Sequence, residues 1–302
     1  MISREEIVVR SPVDVGIRYR VGKALVTARR LARRQPLGVA GLIVFIITAL
    51  MALFPWQLSQ YSPVTIEGVN RLMAPSWNNW MGTDHLGRDV YSRIVHGTRI
   101  SMMVSFASIA VGCTSGYLLG ITTGFLGGKT DLLVQRVIDA MLAFPGILLA
   151  LILVSALGPG VDKVIVAIAV GQAPRAARVS RGVVLTVKQN TYVDAARVVG
   201  ASQLRIMLRH IVPNAMAPFL ILASVGLGAA ILIEASLSYL GLGVPAPAPS
   251  WGRMLSSAAT IYAEIAPWMM FFPGIAITVL VLAFNLFGDS VRDVLDPRLR
   301  GR

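Results

Sequence analysis

Six stretches of the chain stay apolar for roughly the length a membrane helix needs, and the polar residues crowd between them. A helix crosses the hydrocarbon core with about 20 mostly apolar residues. Residues 37–56 are uncharged throughout and follow the basic run RRLARRQP. Residues 100–124 form a second stretch, and 132–157 a third with Asp139 near one end. The fourth starts at Val164 but meets Arg175 after eleven residues, so it crosses only by continuing through RAARVSRGVVL. Residues 215–240 contain one acid, Glu234, and 268–287 close the series. This pattern predicts an all-α polytopic membrane protein with six transmembrane helices. A signal peptide would carry a shorter apolar core nearer the start and a small-residue cleavage site, so 37–56 is read as a retained first span.

Composition agrees: the 302 residues are 55% hydrophobic and only 14% charged, where a soluble domain has about 25% charged. The net charge of +13 would suit nucleic acid only as a basic face on a water-soluble module. Here the cations sit between apolar runs, so no nucleic acid is expected. Cys113 is the only cysteine, which excludes an intrachain disulfide and a cysteine-based metal site. The cations also orient the bundle, because short cytoplasmic loops carry the Lys and Arg excess. With the N-terminus inside, 22 of the 28 basic residues fall on the cytoplasmic side and six outside. Both termini are therefore expected in the cytoplasm.

The stretch GFLGGKTD, residues 124–131, ends like a phosphate-binding loop. That loop needs a first glycine five places before the second, and must join a strand to a helix. Five places before Gly128 stands Thr123, and the preceding run is too long for a strand. The glycines have another reading. Gly112, Gly116, Gly120, Gly124 and Gly128 recur every four residues, a smooth ridge on which a second helix can approach closely in lipid. Lys129 and Thr130 then form the polar turn after that helix.

The segment TYVDAARVVGASQLRIMLRHIVPNAMAP, residues 191–218, lies between the fourth and fifth spans on the cytoplasmic side. Val193, Ala196, Val199 and Gly200 fall on one side of a helix, with Asp194 and Arg197 toward the other. Gly200 ends or bends that helix, since glycine tolerates a left-handed cap. A second amphipathic turn, LRIMLRHIV, leads to Pro213, where a new helix can start. The segment reads as a short helix pair offering an apolar, small-residue face to a cytoplasmic partner.

DAARVVGASQLRIMLRHIVP resembles the EAA loop of permease subunits in ATP-binding-cassette importers, E-A-A-x-x-x-G, nine residues, then I-x-L-P. Ala195, Ala196, Gly200 and Pro213 match at that spacing, while Asp194, His210 and Val212 replace Glu, Ile and Leu. The resemblance implies a coupling helix, with Tyr192 and Ala201 beside it, seated on a separate ATPase. MGTDHLGRDVYSRIVHGTRIS (81–101), SLSYLGLGVPAPAPSWGRML (236–255) and FNLFGDSVRDVLDPRLRG (284–301) are similar to the dipeptide, oligopeptide, glutathione and nickel branch, in its second permease subunit. The resemblance runs from about residue 29 to 302, with these motifs in order. The family implies a type I importer permease fold, divided here as a cytoplasmic segment 1–36, a first span 37–56, an extracytoplasmic segment 57–99, a five-helix core 100–288 with coupling loop 188–213, and a cytoplasmic tail 289–302. It also implies partners: a related permease in a heterodimer, two ATPase subunits and an extracytoplasmic solute-binding protein. ATP and Mg would sit on the ATPases, with no cofactor on this chain. The implied cargo is di- or oligopeptides, with nickel, glutathione or opines as alternatives.

Individual residues carry further expectations. Glu234 is the only acid deep in a span, and intramembrane acids face the bundle interior or water. It lines a translocation path or fastens helices as a hydrogen-bonded carboxyl. Arg175, Arg178 and Arg181 share a broad face and line the cytoplasmic exit or snorkel to headgroups. Asp84, His85 and Asp89 include metal-ligand types, but such acids also cap turns readily. Trp251 and Trp268 read as interfacial anchors. The outer segment 57–97 and the stiff, proline-rich VPAPAPSWG face the side where a binding protein would dock. An ion-driven transporter would need internal repeats and several intramembrane ionisable groups, and no constellation of catalytic groups stands in the spans. The expectation is a non-catalytic permease.

Overall fold

The computed structural model describes residues 36–295, and its regular elements there are helices, with one isolated β-bridge between Thr83 and Asp89. The predicted segment 1–36, save its last residue, and the tail beyond 295 lie outside the described residues. In chain order the helices are α1 (Pro36–Leu53), α2 (Pro55–Leu58), α3 (Val90–Leu126), α4 (Gly128–Leu142), α5 (Gly146–Leu157), α6 (Val161–Val187), α7 (Thr191–Val198), α8 (Gln203–Ile206), α9 (Val212–Tyr239), α10 (Trp251–Ile261) and α11 (Trp268–Leu295). A π-helical turn, Met207–Ile211, joins α8 to α9 in one continuous rod. Four helical stretches are long and apolar enough to cross a membrane: Pro36–Leu53, Val90–Leu126, Gln203–Tyr239 and Trp268–Asp293.

Two expectations change, and the continuation of the fourth stretch through its arginines holds. The second span starts earlier, at Val90 rather than near residue 100, and its 37 residues reach about 55 Å at about 1.5 Å per residue. That exceeds a hydrocarbon core of about 30 Å, so α3 projects into a cap made by residues 59–89. The third span is not one straight helix. α4 and α5 meet at Ala143–Pro145 and bend by 92°, because a residue before proline is pushed out of the helical region. Finally, α6 does cross the arginine-bearing stretch as one 27-residue helix, which its charges keep outside the apolar set.

The longest interface joins α3 to α6. A Cβ on Gly112 would stand 2.5 Å from the Ala169 carbonyl oxygen, one on Gly116 2.1 Å from that of Ala173, and one on Gly120 2.1 Å from that of Ala177. The backbones meet where side chains would have kept them apart, which lets dispersion and weak polar contacts hold helices in a solvent that supplies no hydrophobic drive. Gly124 sits more loosely, 3.2–3.4 Å from Arg181 and Val184. Gly128 leaves the ridge: its φ is +61° and nothing lies within 4 Å, because α3 has already ended at Gly127. Lys129 and Thr130 accordingly open α4 rather than form a turn.

Charges on α6 are met inside the chain. Arg181 makes two hydrogen bonds to Asp131 of α4 at 2.7 and 2.6 Å, and Arg178 pairs with Asp139 one face further along. These arginines are thus committed to α4 rather than to lipid headgroups. Lys188 donates to the Phe125 carbonyl at 2.8 Å, closing the C-terminus of α3 with a cation where the helix dipole favours one. α1 lies on α11 through Gly38 and Gly41, and Phe45 contacts Phe106, Phe284 and Phe287.

Substituting Gly116→Ala should lower the thermal midpoint in mild detergent, at a cost of about 1–3 kcal/mol for forcing the helices apart. Gly182→Ala, on α6 where nothing lies within 4 Å, should be neutral or stabilising by up to ~1 kcal/mol. Equal midpoints for the two variants would mean that α3 and α6 do not meet along these glycines.

Candidate functional site

The loop 188–213 folds into a short amphipathic helix seated on the ends of three others. α7 stops at Val198 because Gly200 adopts φ +81°. The Ala201 N–H then reaches back to the Ala196 carbonyl at 3.0 Å and the Gly200 N–H to Arg197 at 2.9 Å, the paired bonds of a Schellman ending. Ser202 opens α8 by accepting the Arg205 N–H. Val193 is fully buried and Ala196 and Ala201 partly so, packed on Tyr117, Ile121 and Phe125 of α3, Val184 and Val187 of α6, and Ile206, Ile211 and Ala215. The Tyr117 hydroxyl donates to the Val212 carbonyl at 2.9 Å, tying α3 to the root of α9.

The early end of α7 alters which residues face out. Val199 and Gly200 were expected on the side of Val193 and Ala196; instead both are exposed, and Val198 and Val199 each keep 87% of their surface. Leu204, Leu208 and Ala195 of the same loop are exposed as well. Asp194 and Arg197 pair at 2.8 Å on the exposed side. Tyr192 lies against His210, its ring centroid 5.7 Å away, and Asn214 lies within hydrogen-bonding reach of the Tyr192 hydroxyl. Pro213 begins no new rod. The wide turn before it, where the Val212 N–H bonds to Met207 five residues back, makes room for a ring that would strike the fourth carbonyl behind it.

Glu234 sits at the other end of the chain and has no exposed surface. Three hydroxyls donate to it: Ser101 of α3 at 3.1 Å, Ser238 of α9 at 2.8 Å and Ser250 at 2.9 Å. A carboxyl enclosed in this way fastens α9 to α3 and to the start of α10. Trp251 follows Ser250 and is likewise buried, its Nε1 donating to the Ile94 carbonyl at 3.0 Å and its ring on Gly97. It is a core residue, not an interfacial anchor. Trp268 is partly buried and donates to the Thr83 carbonyl at 3.1 Å, which hangs the cap on α11.

In that cap Asp89 accepts the Ser92 N–H at 2.7 Å as the N-cap of α3, and Asp84 accepts from the Leu86 and Arg88 N–H groups and from Arg88 Nε. Both acids are spent on turns, and no group of three metal-ligating side chains occurs among the described residues. His85 stacks on Tyr262 at 5.4 Å. Burial holds its imidazole below the usual pKa, opposed by Asp84 and reinforced by Arg88, Arg93 and Arg71. It borders a cavity of about 260 Å³ between the cap, α10 and α11. A second cavity, about 450 Å³, opens where α4 and α5 break, against Gln172 and Arg175 of α6 and Ala229 and Ile233 of α9.

Sequence reading missed the serines around Glu234 and the acids opposite Arg178 and Arg181. The second set had a signal: Asp131 and Asp139 lie eight apart, close to one face of a helix, and opposite charges in neighbouring apolar helices invite pairing. The first had none, since Ser101 stands 133 residues from Glu234.

Comparison with known proteins adds to this geometry. A family profile described as "Binding-protein-dependent transport system inner membrane component" matches residues 116–301. The dipeptide transport system permease protein DppC of Alkalihalophilus pseudofirmus is 40% identical over 268 residues, 89% of this chain and 88% of that protein. The glutathione transport system permease protein GsiD of Pectobacterium atrosepticum is 42% identical over 273 residues, 90% of each. Among solved structures, an inward-facing form of the MetNI methionine ABC transporter shares the fold with a TM-score of 0.52 at 20% identity, over 68% of this chain and 96% of that one.

The depressed His85 pKa makes a signed prediction. As pH falls, unfolded chains take up the imidazole proton first, so this site's stability is full above the usual imidazole range and is lost as pH drops toward the folded value. Between about pH 7.5 and 5.5, the wild-type midpoint in detergent should fall further than that of His85→Gln. Parallel curves would show that the imidazole is not held neutral by its site.

Proposed function

The chain belongs to the binding-protein-dependent transport system inner membrane components, and from that membership we propose that α7 is the helix on which a separate ATPase acts. The protein is a multi-pass inner-membrane permease component of an ATP-binding-cassette importer, and we propose di- or oligopeptides as its cargo. The dipeptide permease relative supports that class, and the glutathione permease relative extends it to a modified tripeptide. α6, which carries the arginines, and the bent α4–α5 pair complete six spans beside the four apolar helices. The 22-to-6 distribution of basic residues then puts both termini and α7 in the cytoplasm and the cap outside.

One observation carries the coupling role: Val198 and Val199 stand almost fully exposed while Val193, about one and a half turns back, is fully buried. A helix with an apolar face on each side sits between two bodies. Its inner face touches α3, α6 and the root of α9 at once, so a push on the outer face reaches three spanning helices together. We assign hydrolysis to two partner ATPases, with ATP and Mg on them. The path is shared with a homologous permease, and solute arrives on an extracytoplasmic binding protein. This chain contributes no catalytic group.

The test is ATPase activity that co-purifies with the tagged chain from its own cells in mild detergent. Wild type should bring down an ATPase. Val199→Asp, an exposed position, should leave folding intact and cut the recovered or solute-stimulated activity on the order of tenfold, as for a charge placed in an interface core. Gly200→Ala should act through strain at φ > 0, costing roughly 1–2 kcal/mol of local stability. If folded wild type brings down no ATPase even after crosslinking or in nanodiscs, the importer reading falls.

A further inference from the structure

The 260 Å³ cavity of the outer cap is lined by three guanidinium groups, Arg88, Arg93 and Arg253, and one imidazole, His85, against a single lining carboxylate, Asp84. Asp84 is already engaged, by Arg88 at 2.7 Å and with Arg93 Nε at 3.7 Å. Two of the guanidiniums are also held by carbonyls, Arg93 by Pro63 at 2.8 Å and Arg253 by Val244 at 3.0 Å. The Pro63 carbonyl fixes Arg93 in place without cancelling its charge, so Arg88 and Arg93 together outweigh the one lining carboxylate, Asp84, and the cavity keeps a positive excess on rigid groups. His85 adds a direct demand, because its Nδ1 is buried and has no hydrogen-bond partner. A buried polar atom left unpaired costs about 1–3 kcal/mol. Ala246, Pro247 and Ala248 also line the cavity, and Ala246 and Pro247 are exposed, so this stiff segment offers a solvent-facing edge to it.

We propose that this cavity is a socket for one carboxylate side chain, an Asp or Glu presented by the extracytoplasmic solute-binding protein. The proposal rests on the importer reading. Charge selects the ligand: rigid guanidiniums recognise carboxylates by paired N–H donors, and an incoming oxygen would also supply the missing partner of His85. Size selects its source, since the volume lies below the roughly 300–1,000 Å³ that encloses a whole small-molecule ligand but admits a side chain. Place agrees, because the cavity opens at the end of the chain opposite α7. The socket also bears on the first turns of α3, α10 and α11 through Arg93, Arg253 and Met269, so its occupancy is felt by three helices.

The experiment uses the assembled transporter in nanodiscs and the solute-binding protein that stimulates its ATPase activity. Ala246→Cys places a thiol at that solvent-facing edge, where an anionic sulfonatoethyl or a cationic trimethylammonioethyl methanethiosulfonate adduct can be added after folding. The parent complex treated in the same way accounts for partner thiols and for Cys113, which is only 2% exposed. The anionic adduct, a tethered competitor, should weaken binding-protein affinity about tenfold more than the cationic one of similar size, with basal ATPase activity unchanged. Ala246→Asp should do the same relative to Ala246→Asn. Unchanged affinity with both adducts, or equal losses that mark mere crowding of the rim, would overturn the socket while stimulated ATPase activity left the importer reading standing. A complex that no solute-binding protein stimulates would instead sink the importer reading.

Discussion

Two backbones in van der Waals contact set the frame for everything else in this chain. Where Gly112, Gly116 and Gly120 of α3 lie on Ala169, Ala173 and Ala177 of α6, no side chain intervenes. In water such an interface would be a poor one, since it buries little apolar side-chain area. In lipid the comparison reverses, because tails solvate leucines as well as other leucines do, and only close approach distinguishes protein from solvent. The contact fixes α3 as a rod that extends well past the membrane. One end of that rod carries the cap, and the other end supports α7.

The six apolar stretches were readable because hydropathy reports the solvent directly, and α1, α9 and α11 follow the predicted spans closely. The turn at Gly200 was also legible, since only a residue at ease with φ > 0 ends a helix in that way. The break at Ala143–Pro145 was written in the sequence but hidden by the signal used to find it: an apolar run looks alike whether its helix is straight or bent. The early start of α3 was masked for a different reason. Ser92, Arg93, His96 and Arg99 read as a polar loop, yet Arg93 is only 3% exposed, because the cap folds over it. Trp251 misled likewise, since a tryptophan beside a proline-rich loop has the same neighbours in sequence whether it anchors at an interface or fills a core.

The polar groups inside the chain follow one rule at both depths. Asp131 and Asp139 of α4 meet Arg181 and Arg178 of α6, and Glu234 meets three serines. Each replaces water with a partner from another segment, so each acts as a fastener as well as a charge or dipole satisfied. That is how α6 keeps Arg178 and Arg181 without forfeiting its packing, and how the bent pair is held to it. Ion pairs join α4 to α6, hydroxyls seal Glu234 between α3, α9 and the start of α10, and the Asp84 ion pairs with Arg88 and Arg93 brace the cap.

The wide turn at Met207–Ile211 has a consequence for how the chain can change over generations. A π turn holds one residue more than an α turn, and such a residue can be lost with the helix healing around the gap. Here healing would bring the Pro213 ring against the carbonyl four residues back, while the Asn214 side chain, which now donates to the His210 carbonyl at 2.6 Å, would compete with a restored backbone bond. Chain length in this linker and the identity of residue 213 are therefore inherited together: a descendant that sheds the extra residue must shed the proline as well.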